Sequence, residues 1–282
     1  MSSPTISIIS VVKNGASTIA CCLASVRDQS IAAEHIIIDA CSTDATLDIV
    51  RRVSPGARIV SEPDRGIYDA MNKGIALARG EVIGILNVDD FYPDRDVLAR
   101  AAAVFRSPDI DSCYGDLHYV KDSNGTHWDH GQVDPGEHKV VRIWKSGAFN
   151  PDQFYQGWMP PHPTFFVRRH IYSKLGMFNL EMGSAADYEL MLRFLLRHRI
   201  SSIHIPQVMV MMRTGGVSNA SIGNRLRANL LDRQAWRVND LKPFPWTLTL
   251  KPLRKGYQYF VPAIAKFEGR FRPQRERAWG QS

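Results

Sequence analysis

Cysteine is scarce and poorly spaced in this 282-residue chain: Cys21, Cys22, Cys41 and Cys113 include no C-x-x-C pair. Two of the four are adjacent, which suits neither a structural zinc site nor a disulfide framework, so a reducing compartment is expected. No stretch approaches the ~18 consecutive apolar residues that a membrane span needs. The opening Met1-Ser2-Ser3-Pro4 carries no basic segment ahead of the apolar run and no small-residue cleavage site, which argues against a signal peptide. The expectation is a cytoplasmic protein, soluble or peripheral on the inner face of the cell membrane. Also missing are internal repeats, low-complexity tracts and a G-x-G-x-x-G turn: the first apolar run is followed by Lys13-Asn14-Gly15-Ala16, which sets aside a nicotinamide oxidoreductase. No Gly-rich basic loop lies near the N-terminus to hold a triphosphate, which weighs against a sugar nucleotidylyltransferase, the enzymatic alternative.

What is present is ordinary globular material, with 44% hydrophobic and 22% charged residues, enough for a real core. The net charge is +7, and its placement says more than its total. Residues 213 to 282 hold 14 Lys and Arg against 4 Asp and Glu, a net +10, and the preceding residues hold 21 against 24, a net −3. A near-neutral body with a basic end points that end at an anionic surface. A nucleic-acid-binding module is the non-enzymatic rival, but no nucleic-acid motif appears and the basic excess is confined to the end of the chain, so no nucleic-acid partner is expected.

Strand-like and helix-like stretches alternate. The pattern predicts strands over 5–12, 35–39, 58–61 and 81–87, with helices over 16–29, 45–53 and 68–78 between them. That alternation implies an α/β fold with a doubly wound, mostly parallel, Rossmann-like sheet. Ligands of such sheets sit beyond the carboxyl ends of the strands, where Asp39 and Asp89-Asp90 both fall. Ser42 and Asp44 are expected to cap the second helix. A helix and the strand 112–116 follow, then long loops over 121–160, a strand over 164–167, an amphipathic helix over 187–198 and a strand pair over 203–212 broken at Pro206. A basic helix over 222–239 opens a helical C-terminal tail. The division expected is one domain over 1–220 and a tail over 221–282.

The most specific signal is the run from Ser61 to Asp90, SEPDRGIYDAMNKGIALARGEVIGILNVDD. It closely resembles the inverting glycosyltransferases of family 2, which have the GT-A fold, and in particular their bacterial polysaccharide-assembly branch. Ile6 to Asn14 and Ile36 to Thr46 match that family's first two donor-site segments, and the match continues through His162-Pro163-Thr164-Phe165-Phe166 and Ala186 to Arg193. The resemblance implies transfer of a sugar from a nucleotide-sugar donor, a UDP-sugar first among them. The acceptor it implies is a hydroxyl of a saccharide or lipid-linked saccharide in cell-surface polysaccharide synthesis.

Two adjacent carboxylates after a buried strand are hard oxygen ligands, suited to Mn2+ or Mg2+ bridging a diphosphate. A solvated strand-end turn is the plainer alternative. The resemblance assigns Asp89 to the ribose and Asp90 to the metal, although the acid often found two residues before the pair is Asn87 here. Asp39 ends an apolar strand, so its carboxylate should project into the crevice, where the resemblance has it read the base beside the backbone of Val11. Asp187 falls in register as the base that deprotonates the acceptor, the alternative being that it only stabilises the positive end of its helix. Glu189, two residues on, should point elsewhere. Arg65 suits a phosphate, His162 the acceptor or a phosphate, and Arg213 with Gly215-Gly216 a segment closing over the diphosphate, while Asn72 is read as fixing a turn or helix contact. In the tail, Leu253, Tyr257, Phe260, Ile264, Phe267 and Phe271 are spaced by four and three with cations between them. That pattern fits an interfacial helix on an anionic membrane, or equally a helix packed on the domain or on a second copy in a homo-oligomer.

Overall fold

The computed structural model describes residues 4–122, 138–214 and 222–251. β1 (Ile6–Val12), β2 (Glu34–Asp39), β3 (Arg58–Ser61) and β4 (Val82–Ile85) run parallel in the order β3-β2-β1-β4. α1 (Ile19–Arg27), α2 (Thr46–Val53) and α3 (Ile67–Leu77) are their crossovers. All seven residues of β1 are buried, which is why this strand reads as a continuous β-branched run and not as an alternation. The chain winds from β1 outward to β3, then returns to place β4 on the other side of β1. That reversal opens a crevice beyond the carboxyl ends of β1, β2 and β4. Gly74 lets α3 lie close on the sheet, since a Cβ there would sit 2.3 Å from Ile9 Cγ2. Overpacking of that kind costs about 1–3 kcal/mol.

The second half of the sheet is mixed. β5 (Asp90–Phe91), β6 (Ser112–Asp122), β7 (His138–Trp144), β8 (Phe166–Arg168) and β9 (Ser202–Arg213) complete the order β3-β2-β1-β4-β8-β6-β9-β5, with β7 also on β6. β6 and β9 pair in parallel, while β8 joins β4 and β6, and β5 joins β9, antiparallel. α4 (Val97–Val104) and α5 (Arg169–Leu175) flank this half.

Three expectations are corrected here. β6 runs on to Asp122 and β7 pairs with it antiparallel, so the region over 121–160 is not all loop. The buried positions of β7 include His138 and Arg142, and polar residues there hide the alternation that would have revealed a strand. The stretch over 203–212 is one strand and not a broken pair. Gly115 is paired with Ile205 and Asp116 with Val208, so Pro206 and Gln207 form a bulge, where a missing N–H is tolerated. The helix at 187 is α6 (Ala186–Met191), which widens into a π-helical turn over Leu192–Arg197, with the His198 amide bonded to the Arg193 carbonyl at 3.0 Å. It is buried on nearly every side and not amphipathic, because α7 (Ile222–Val238) covers its outer face.

α7 carries Ala235 and Trp236, both fully buried in the same core as Tyr188, and Trp236 Nε1 donates to the Tyr188 hydroxyl at 2.9 Å. Leu248 joins that core. Lys251 Nζ pairs with Asp232 at 2.8 Å and stands 3.5 Å from the Tyr188 ring centroid. Ala235, Trp236, Leu241 and Leu248, which the sequence places with the tail, therefore pack against the core of the α/β sheet. The apolar stripe from Leu253 to Phe271 and the pair Gly215-Gly216 lie outside the described residues. Among the described residues no helix is long and apolar enough to cross a membrane.

Candidate active site

Two loops at the carboxyl ends of β1 and β2 are stitched together by short polar side chains. The Asn14 amide donates to Ser42 Oγ at 2.7 Å, the Gly15 amide to Thr46 Oγ1 at 2.9 Å and the Ala16 amide to Asp44 Oδ2 at 3.1 Å. In return Asn14 Oδ1 accepts the Thr43 amide at 2.8 Å. Asn14 adopts φ 52°, in the left-handed region that Asn tolerates better than most residues. Asp44 accepts the Thr46 amide at 3.0 Å from one position ahead of the N-cap, Ala45, so it does not supply the side-chain cap expected of it. Ser42 does not cap α2, because its hydroxyl is engaged by the loop after β1.

Asp39 ends β2 beside Val12 of β1 and Ser61 of β3, with Val11 one position back. Its carboxylate does not project openly. It is fully buried, accepting the Ser61 hydroxyl at 2.6 Å and the Ser42 amide at 3.0 Å on Oδ2, and the Ser42 amide at 3.3 Å on Oδ1. A carboxylate oxygen has two lone pairs, so Oδ1 retains acceptor capacity. Ser61 had no assigned role in the sequence reading, although it opens the most specific run in the chain.

Asp89 and Asp90 follow β4. Asp90 is fully buried, and neither of its carboxylate oxygens has a hydrogen-bond partner among the described residues. Burial first, then the charge of Asp89, push its carboxyl well above the usual carboxylate range, against the opposing pull of the Arg213 amide and guanidinium. Such a group is costly to ionise until a cation arrives. Arg213, at the end of β9, donates from Nη1 to the Asp89 carbonyl at 2.9 Å and lies over the Phe91 ring at 4.8 Å. It thus fixes the backbone of the acidic pair. Among the described residues no group of three or more His, Cys, Asp or Glu comes together as a metal cage. A hard divalent ion that shares its shell with substrate phosphates and water needs only one or two protein carboxylates, so Asp90 fits Mn2+ or Mg2+.

Arg65 is 79% exposed and pairs with Asp69, at 3.1 Å through Nη2 and at 3.0 Å through its own amide. The exposed side chain is held at the first turn of α3, and no bond joins it to Asp39, Asp89 or Asp90. Asp187 opens α6, half-buried, with Oδ1 accepting the Tyr188 amide at 2.7 Å. His162, in a 3-10 turn over His162–Thr164, is 8% exposed and lies in the field of Asp187. Burial lowers its pKa despite that carboxylate, so the ring is neutral near pH 7 and offers a phosphate no charge. Glu189 turns away from Asp187, as expected, into a buried pair with Arg193 at 3.0 Å, and Arg193 also binds the Gly176 and Met177 carbonyls at 2.9 and 2.7 Å. Asn72 clasps the backbone of Phe178 in both directions at 2.9 Å, fixing the irregular segment after α5 and not another helix.

An α/β domain whose crevice lies at the carboxyl ends of parallel strands, edged by buried carboxylates, has the build of a nucleotide-handling enzyme. The sequence model described as Glycosyl transferase family 2 matches residues 7–176. A PGL/p-HBAD biosynthesis glycosyltransferase of Mycobacterium bovis (strain BCG / Pasteur 1173P2) is 30% identical over 229 residues, 79% of this chain and 82% of that protein. The chain belongs to glycosyl transferase family 2. Among solved structures, S. aureus TarS matches with a TM-score of 0.60 at 18% identity, over 84% of this chain and 40% of that one. TarS 1–349 in complex with UDP-GlcNAc gives 0.59 at 16% identity, over 83% and 70%. The mannosyltransferase PcManGT from Pyrobaculum calidifontis, in complex with GDP-Man and Mn2+, gives 0.58 at 18% identity, over 97% and 82%. These likenesses show a GT-A-like fold.

Proposed function

We propose that this enzyme transfers a sugar from a nucleoside-diphosphate sugar, a UDP-sugar first, to an acceptor hydroxyl with inversion at the anomeric carbon. The proposed acceptor is a saccharide or lipid-linked saccharide of cell-surface polysaccharide assembly. The observation that carries the reading is Asp90, a buried carboxyl next to Asp89 at the start of β5, with no hydrogen-bond partner among the described residues. The binding of UDP-GlcNAc by TarS, and of GDP-Man with Mn2+ by PcManGT, supports a nucleotide-sugar and a cation at this crevice. The M. bovis relative is named for PGL/p-HBAD biosynthesis, which supports a biosynthetic transfer.

In this reading Asp39 accepts a hydrogen bond from the base, next to the Val11 backbone, and Asp89 meets the ribose. Asp90 holds the divalent cation, which when bound neutralises charge developing on the departing diphosphate. Arg213 keeps the acidic pair in place, and Arg65 meets the phosphates from the rim. Asp187 takes the proton of the attacking hydroxyl, and His162, as a neutral ring, contacts the acceptor. A nucleoside diphosphate with Mn2+ is expected to raise the melting temperature of the purified protein, while NAD or DNA leaves it unchanged. Stabilisation by NAD or DNA, and none by UDP or GDP with Mn2+, would remove the donor-site reading.

The tail is assigned to the membrane by its charge and its apolar stripe. Truncation before Leu253 leaves the Lys251–Asp232 pair intact and is expected to release the protein from anionic vesicles, as high salt weakens attachment of the full chain. Continued pelleting of the truncated protein with those vesicles would place the contact elsewhere.

A further inference from the structure

Four aromatic rings climb from the core to water beside α7. Trp236 is fully buried, and its ring centroid lies 5.1 Å from that of Tyr155. Tyr155 lies 5.2 Å from Phe244, which stacks on Trp246 at 5.1 Å with 21° between the planes. Phe244 is 49% exposed and Trp246 53%. The outer pair is held in place by its own loop. Pro243 and Pro245 fix φ on either side of Phe244, and just after Trp246 the Thr247 hydroxyl donates to the Tyr155 carbonyl at 2.7 Å and Leu248 is buried.

The outward arc of α7 continues this patch. Leu230, Arg233 and Arg237 are spaced by three and four, Val238 lies two turns on from Leu230, and all four are exposed, while Ala235, Trp236 and Asn239 fill the buried side of the same stretch. Four of the seven exposed large hydrophobics among the described residues thus fall between 230 and 246. Scattered single exposures need no explanation, but a cluster marks a contact surface. The acids of this stretch are taken, Asp232 by Lys251 at 2.8 Å and Asp240 by Arg197 at 2.6 Å. Arg233, Arg237 and the exposed Lys242 therefore pair with no carboxylate among the described residues.

We propose that this face, the outward arc of α7 with the Phe244–Trp246 loop, lies on an anionic lipid bilayer, its aromatic pair at headgroup level and its three cations against the lipid phosphates. The chemistry selects a lipid surface: cations without acids around an exposed indole and phenyl are the composition of an interfacial anchor. The charge is complementary, and it continues into the basic end of the chain, whose net +10 is counted from residue 213. The surface belongs to the folded domain and is separate from the apolar stripe that starts at Leu253.

The test uses the full chain with vesicles of equal parts phosphatidylglycerol and phosphatidylcholine. Trp246→Ser removes the outermost ring, and the pair Arg233→Gln and Arg237→Gln removes charges that hold no described residue, so both proteins are expected to melt like the parent. Each is expected to bind the vesicles at least roughly 10-fold more weakly than the parent. Parental binding by both, with truncation before Leu253 still releasing the protein, would overturn the proposal and leave the tail as the contact. Weakened binding by both, with the truncated protein still pelleting, supports the face and removes the tail assignment instead. The emission of Trp246, read as the difference between the parent and Trp246→Phe, is expected to be that of an indole in water until lipid is added, and then to be quenched by brominated lipid. Emission already shifted to the blue without lipid would show that the chain's own basic end covers the face. A parent that sediments as a dimer while Trp246→Ser sediments as a monomer would show a second copy there, and either result contradicts the proposal.

Discussion

Asp90→Asn is expected to lose roughly 10²- to 10³-fold in turnover, the scale seen when one source of transition-state charge stabilisation is removed. The carboxyl is fully buried beside Asp89 with no hydrogen-bond partner among the described residues, so a cation is the group that makes its ionised form tolerable. A neutral amide is a far poorer ligand for a hard divalent ion. The fold should survive, since the amide has nearly the same shape and removes a charge that was costly to bury. In cation-free buffer the variant is expected to melt at or above the temperature of the parent. Adding Mn2+ with a nucleoside diphosphate should stabilise the parent and leave the variant unmoved. Full activity of Asp90→Asn in excess chelator would remove the metal role.

Asp187→Asn is expected to lower kcat by ~10²–10⁴-fold, the usual worth of general-base catalysis, with donor binding nearly intact. The separation follows from the fold: Asp187 stands on α6, while Asp39 ends β2, Asp89 lies between β4 and β5, and Asp90 opens β5. Glu189→Gln is the internal control. Its carboxylate, two residues along α6 from Asp187, is engaged by Arg193 and by Asn239 Nδ2 at 3.1 Å. Weakening that buried pair should lower the melting temperature while the folded enzyme keeps its turnover, because Arg193 supports the carbonyls ahead of Phe178 and not the reacting atoms. A loss of kcat in Glu189→Gln as large as that in Asp187→Asn would show that the wrong carboxylate had been chosen.

The parallel half of the sheet was legible because its physics is local. Buried parallel strands such as β1 and β2 read as unbroken β-branched runs, and the turns between them carry Asn, Gly, Ser and Asp. The placement of Asp39 and of Asp89-Asp90 at the carboxyl ends of strands was legible for the same reason, each standing after such a run. β7 was not, because its inward positions hold His138 and Arg142. The bulge at Pro206 was misread because a proline in a strand looks the same in sequence whether it ends the ladder or sits where the register slips. The π-helical turn after α6 leaves no mark in apolar spacing at all. Around Asp187 the register of one motif pointed to the carboxylate, but the gathering of Tyr68, His162 and Phe178 is a tertiary event among residues about a hundred positions apart. Ser61 was visible only as the start of a motif. It acquires a role once β3 is laid beside β2 and its hydroxyl meets Asp39.

The most direct test of the account is the anomeric configuration of the product. With Asp187 as base, the acceptor oxygen attacks from the face opposite the departing diphosphate in a single displacement. A nucleotide-sugar that the purified enzyme turns over in the presence of Mn2+ should therefore give a glycoside of inverted configuration. The anomeric proton coupling in an NMR spectrum of the product, taken before any mutarotation or secondary cleavage, reads this directly. An α-linked donor giving a β-linked product is the predicted result, and a product that keeps the donor's configuration would contradict it.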